Sequence, residues 1–298
     1  MIENGISGIL TINKIAGMTS HDVVNKIRRL YGTKKVGHAG TLDPDATGVL
    51  VVLVGRAAKA AEFAVCERKE YRAGLLLGIT TDTQDTSGKI LSSSDNIPPK
   101  EEVLEAVNSF SGEIMQIPPM YSALKVGGKK LCDMARAGIT VEREARPITI
   151  YSIKADGDGK NYTLDVSCSA GTYIRTLCHD IGEKLGCGGA MSSLVRKASG
   201  GFSIENAVTL EEIERMDISE RESLLMPTEN LFKELQTVKL PAFYERLAQN
   251  GAEIYQKKIG TSFENGTLLR VYGKDGFFGI GKVSEFEEGS AVKIIKFL

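Results

Sequence analysis

The apolar positions of this chain separate into strand-like and helix-like stretches before any chemistry is considered. Residues 6–13 read as a strand, and residues 23–30 place Val23, Val24, Ile27 and Leu30 on one side of a helix that Thr19, Ser20, His21 and Asp22 can cap and Gly32 stops. Residues 49–54 are an unbroken apolar run bounded by Gly48 and Gly55, the pattern of a strand buried on both faces. Residues 56–64, rich in alanine, predict a helix, and residues 69–79 alternate, with Tyr71, Ala73, Leu75 and Leu77 on one face. A helix over 100–110, a strand over 162–168 and a helix capped by Thr172 follow. The last has Ile174, Leu177, Cys178, Ile181 and Leu185 as its apolar stripe. Thr209-x-x-Glu212 is a capping box opening an acidic helix. From about Val238 the pattern changes to short alternating strands at 268–272, 277–283 and 291–297, as in a small β-barrel. The expectation is an α+β chain with a large domain over 1–236 and a small β domain over 237–298.

Between the first helix and the buried run stands V-G-H-A-G-T-L-D-P-D-A-T-G, residues 36–48. Pro44 disfavours helical dihedrals in the residue before it, so Asp43 is held extended and its carboxylate points in a fixed direction. Gly37, Gly40 and Gly48 permit tight turns on either side. An isolated Asp-Pro-Asp is most often a surface turn. This one is followed at once by a buried strand, which gives the acid a rigid base. Asp43-x-Asp45-x-Thr47 also matches the D-x-D-x-T of magnesium-dependent phosphatases, but there the apolar strand precedes the first Asp, so that the acid stands at the strand's carboxyl end. Here the strand follows, and the order of elements argues against a phosphatase.

The string G-H-A-G-T-L-D-P-D-A-T-G-V-L resembles the catalytic motif of the bacterial tRNA pseudouridine-55 synthases, the TruB family. Further resemblances cover nearly the whole chain: K-E-Y-R-A around Tyr71, T-D-T-x-D-x-x-G at 81–88, Q-I-P-P-M-Y-S-A-L-K at 116–125, C-S-A-G-T-Y-I-R-T-L at 168–177 and M-S-S-L-V-R-K at 191–197. The family implies a pseudouridine-synthase fold, with a mixed, largely antiparallel central sheet flanked by helices and a C-terminal PUA-like RNA-binding barrel. It implies that Asp43 is catalytic, that Tyr71 holds the target base and assists proton removal from C5, and that Arg175 pairs with Asp43 and keeps it ionised. His38 would fill the stack vacated by a flipped base. Lys14, Gly40, Thr41, Leu42, Tyr121, Lys125, Tyr173 and Leu194 would contact substrate, and an insertion over about 118–146 would fold over bound RNA. The implied substrate is uridine 55 in the T-loop, on the T-arm of tRNA. The implied reaction is an isomerisation needing neither metal nor redox cofactor. The residues leave three roles open for Asp43: attack on the ribose, attack on the base, or removal of a ribose proton. A non-catalytic RNA chaperone using the same surface is the rival reading, and it predicts binding without a changed nucleoside.

Charge at first opposes an RNA partner, since the formal net charge is -1. The average hides a segregation. Residues 14–35 carry Lys14, Lys26, Arg28, Arg29, Lys34 and Lys35 against Asp22, a local +5, whereas 204–236 carry nine acids against three bases, a local -6. Residues 120–150 are +3, and the glycines among them suit a clamp that orders on phosphate. Five scattered cysteines, including Cys66, show no C-x-x-C and predict buried small side chains rather than disulfides or zinc. His179, beside Cys178, reads as structural or solvent-facing rather than as a metal ligand. Acids in the 80–88 cluster alternate with threonines and a glutamine, which predicts local turn hydrogen bonds rather than a metal loop. No charged leader precedes an apolar core and no stretch reaches membrane-span length, which predicts a cytosolic protein with no membrane contact. No motif points to an obligatory protein partner.

Overall fold

The computed structural model describes residues 6–63 and 68–298. The first five residues, Cys66 and the end of the predicted helix at Ala64 lie outside the described residues. A nine-stranded sheet organises the larger part. Its main path runs Gly8–Lys14, Thr47–Val54, Gly189–Ser199, Arg68–Leu77, Asn161–Ser169, Arg146–Asp158 and Gly112–Gln116. All its pairings are antiparallel except that of Gly189–Ser199 with Thr47–Val54. The sheet is therefore mixed and largely antiparallel, flanked by helices.

The apolar run is the fixed element. Val49, Leu50, Val51, Val52, Leu53 and Val54 are all fully buried. Leu50, Val52 and Val54 pack with Val23, Val24 and Ile27 of the helix Ser20–Leu30, and Val49, Val51 and Leu53 face Ala57 and Phe202 on the other side. Burial of six such side chains contributes on the order of 10 kcal/mol gross, enough to make this strand a rigid platform. Farther along, the sheet buries one face only. Tyr71, Ala73, Leu75 and Leu77 join Tyr162, Leu164, Val166 and Cys168 under the helix Ile174–Lys184.

One edge of the strand Thr47–Val54 is shared. Val36–Ala39 pairs with its residues 51–54, while Gly189–Ser199 pairs with Thr47 and Gly48. The sheet splits at Val49, and the loop 40–46 emerges there. A Cβ on Gly48 (φ +95°) would lie 2.2 Å from the Arg196 carbonyl oxygen, so the two strands meet this closely only with glycine at 48.

Several boundaries differ from expectation for local reasons. The alanine-rich stretch is a 3-10 helix over Gly55–Ala60, followed by a turn over 61–63. The predicted strand over 69–79 breaks at Gly78 (φ +89°) into Arg68–Leu77 and the short Ile79–Thr81. Thr209 forms the capping box its sequence announces, and among the four residues expected to cap the first helix Thr19 does so, in a box with Asp22. Thr172 does not cap; its hydroxyl donates to the Ser169 carbonyl (2.9 Å) and the helix begins one residue later, with Tyr173 at the N-cap. The final residues form a five-stranded sheet ordered Gln236–Lys239, Leu268–Gly273, Gly276–Phe286, Gly289–Phe297 and Ile254–Tyr255, around a separate core of Val238, Leu240, Leu269, Val271, Val283 and Val292. Among the described residues no helix is long and apolar enough to cross a membrane.

Candidate active site

Asp43 and Arg175, 132 residues apart, meet where the sheet splits. Arg175 Nε lies 3.0 Å from Asp43 Oδ2 and a terminal nitrogen donates to Oδ1 at 3.3 Å, a two-point grip that a guanidinium can make and an ammonium cannot. The remaining donors are also placed. One reaches the Thr83 carbonyl (3.1 Å), another the Tyr121 carbonyl (2.8 Å), and Asp85 Oδ2 stands 3.7 Å away. Arg175 is therefore held from three sides. Its side chain is 7% exposed while that of Asp43 is 43% exposed, so the carboxylate is backed by protein and open toward solvent. An arginine in the first turn of a helix opposes the helix dipole, and the two carboxylates supply the compensation.

The loop that carries Asp43 is fastened from below. Lys14 is fully buried, and its ammonium donates to the carbonyls of Ile15, Met18 and Pro44 at 2.8 to 2.9 Å. Burial lowers its pKa, and Asp45 and Asp43 oppose that shift. Lys14 was expected among the substrate contacts; here all three of its N–H groups are spent on backbone, which makes it a support of the loop. Ser20 is bonded to both the N–H and the carbonyl of Leu42 (2.9 and 3.2 Å). Leu42 is buried in the core, whereas Thr41 is exposed.

Tyr71 lies beneath the site, 8% exposed. Burial raises its phenol pKa, Arg196 pulls it down, and Cys168 and Asp43 push it up, so the ring is a neutral phenol at pH 7. His38 is partly buried, and burial first, then the charges of Arg196 and His21, lower its pKa. It is thus a neutral imidazole at pH 7. Burial likewise raises the Tyr173 phenol, with Arg175 and Arg146 acting against it. Leu194 packs between the two halves of the core, and its carbonyl accepts from Thr47 Oγ1 at 3.5 Å. Gly40 (φ +79°) faces Arg196 and Lys69. Tyr121 meets the site through its backbone, and Lys125 stands apart from it, exposed on the hairpin of Lys125–Val126 and Lys129–Lys130.

Four residues have roles that the sequence reading missed. Gln116 is 2% exposed, and its amide clasps Tyr173 twice, donating to its carbonyl (3.1 Å) and accepting from its N–H (2.8 Å). Arg196 is fully buried beneath the loop. Asp85 anchors the 80–88 turn as expected, accepting from Thr83 Oγ1 and from the Ser87 N–H and hydroxyl, but it also faces Arg175. Gln84, the one non-glycine residue with positive φ (+63°) among the described residues, is pinned by the Thr176 hydroxyl in the same turn. The available signal was a polar side chain in line with apolar residues two positions away, Ile114 and Pro118 for Gln116, Leu194 and Ala198 for Arg196. Most of their partners are backbone atoms, which leave no trace in sequence.

This architecture is shared with solved structures. A Cbf5-Nop10-Gar1 complex superposes with a TM-score of 0.74 at 27% identity, over 97% of this chain and 84% of that one. An archaeal box H/ACA sRNP Nop10-Cbf5 complex does so at 0.74 and 26%, over 100% and 88%. Fold and site together define a pseudouridine synthase, an isomerase that converts uridine into pseudouridine. The TruB family pseudouridylate synthase N-terminal domain matches residues 28–174, and the tRNA pseudouridylate synthase B C-terminal domain matches 175–233. Curated relatives called tRNA pseudouridine synthase B are 44% identical in Clostridium tetani (98% of this chain, 100% of the relative) and 44% identical in Alkaliphilus oremlandii (98% and 99%). The chain belongs to the TruB family of pseudouridylate synthases, and its activity is pseudouridine formation in tRNA.

Proposed function

We propose that the enzyme isomerises uridine 55 in the T-loop of tRNA, with Asp43 as the essential carboxylate. The observation that carries this reading is the pair itself: a half-exposed carboxylate gripped by a buried guanidinium at 3.0 Å. The reaction breaks the N1–C1′ bond, joins C5 to C1′, removes the C5 proton and leaves a proton on N1, with no net change in oxidation state. Asp43 acts where the glycosidic bond opens. Tyr71 bounds the base from below and is positioned to assist the transfer from C5.

A uridine within a folded loop cannot reach Asp43, so the nucleotide must swing out of its stack. His38, kept neutral, offers a flat ring for the vacated place. The residues of the 118–146 insertion, with Lys125, Lys129 and Lys130 exposed, supply phosphate contacts over the bound arm, and the five-stranded sheet from Gln236 onward serves as the PUA-like RNA-binding domain. We place the catalytic domain at 1–236 and the enzyme in the cytosol, where it needs no protein partner. The test is to incubate an unmodified tRNA transcript with the purified enzyme and map pseudouridine nucleotide by nucleotide. Modification at position 55 is expected. Modification elsewhere only, or tight binding without a changed nucleoside, contradicts the proposal.

A further inference from the structure

Arg196 lies at the centre of the split in the sheet. It is directly opposite Tyr71 on the neighbouring strand and opposite Gly48 on the other side. Its guanidinium donates to the Val49 carbonyl at 2.6 Å, to Gly40 at 3.0 Å and to Thr41 at 3.3 Å. These three carbonyls belong to the last turn before Asp43 and to the start of the rigid strand after it. One side chain thus bolts both ends of the Asp43 loop to the strand that faces Tyr71.

Its electrostatic situation is equally informative. Arg196 is 0% exposed, so it touches neither solvent nor an arriving nucleotide. It forms no ion pair with a carboxylate among the described residues. Guanidinium stays protonated in proteins, and a buried charge whose partners are three carbonyls and the Tyr71 phenol, with no carboxylate, is costly. A methionine or leucine would fill the space more cheaply. The charge also acts on its surroundings, lowering the pKa values of His38 and Tyr71 against the desolvation that dominates the second.

We propose that Arg196 is a positioning residue for the isomerisation: it fixes the Asp43 loop against the strand of Tyr71, so that carboxylate and phenol keep one mutual placement while the nucleotide enters. The role is distinct from that of Arg175, which touches Asp43 itself. It rests on the reading of Asp43 and Tyr71 as the catalytic pair.

The test uses Arg196→Lys and Arg196→Gln in the full chain, measuring single-turnover rate at saturating tRNA transcript, tRNA affinity and thermal unfolding. Lysine keeps the charge and loses the fork. Its saturated rate is expected to fall at least about tenfold, with tRNA affinity within about threefold of the parent. Glutamine, losing charge as well, falls further. A purely structural residue would lower the unfolding temperature and leave the rate of the folded enzyme intact. That result, or a loss confined to tRNA affinity, overturns the proposal. Should the glutamine variant fail to fold, the lysine variant decides alone. The parent's product map is scored separately, so an error in the target nucleotide is distinguishable from an error about Arg196.

Discussion

The active site and the insertion over 118–146 are in contact, yet they are built in opposite ways. Arg175 and Arg196 are 6% and 0% exposed, and each donates to several fixed acceptors. In the insertion Lys125, Lys129 and Lys130 are exposed, and Leu131 is the single buried residue between 123 and 147. The chemistry needs one geometry, held before substrate arrives. A clamp needs the reverse, few anchors and cationic tips. The two are joined by backbone: the Tyr121 carbonyl accepts from Arg175, and Gln116, at the insertion's root, clasps the residue before the Arg175 helix. If the insertion closes over RNA as proposed, the closure reaches the guanidinium through these contacts.

If the two regions divide the labour in this way, their variants separate into rate and affinity. Asp43→Asn is expected to give the largest effect, a fall of at least about 10⁴-fold in single-turnover rate with tRNA affinity within a few fold, read by tritium release and filter binding. Substantial remaining turnover would break the assignment. Gln116→Leu leaves the part-buried Tyr173 N–H without its partner, a cost of about 1 kcal/mol. Its saturated rate should drop roughly tenfold, with affinity nearly unchanged; a change in affinity alone would place Gln116 with the clamp. Lys129→Ala with Lys130→Ala should do the opposite. We expect weaker binding and a salt slope shallower by about one to two, with the saturated rate kept. The smallest effect concerns His38. Its folded pKa lies below the ordinary 6.5, so the stability linked to it is present above that pH and is lost as pH falls through the folded value. Unfolding followed between pH 7 and pH 5 should show a shallower acid slope in His38→Gln than in the parent.

Much of this molecule was legible in the sequence where one local cause dominates. The continuous run at 49–54, the cap at Thr19, the capping box at Thr209 and the alternation at 71–77 each produced the element they announce. Misreadings fell where tertiary geometry overrides local preference. Thr172 satisfies the Ser169 carbonyl instead of capping, and the alanines after Gly55 tighten into a 3-10 turn against the first strand. The strands Gly112–Gln116 and Arg146–Asp158 were not anticipated. Lys14 is expected from the resemblance among the substrate contacts, and the three carbonyls that converge on its ammonium could not be read from the sequence. Arg196 was hidden for the same reason.

The account stands or falls on the grip of Arg175 on Asp43. A nucleotide seated over the 43% exposed carboxylate strips away its water, after which the charge depends on the guanidinium at 3.0 Å. Single-turnover rate at saturating tRNA and tRNA affinity, measured together for Arg175→Lys and Arg175→Met, test this directly. The prediction is a rate lowered at least about tenfold by lysine, roughly 1.4 kcal/mol, and more by methionine, with affinity little changed. An unchanged saturated rate, with weaker binding and a flatter salt dependence, would make Arg175 a phosphate ligand and contradict the pairing.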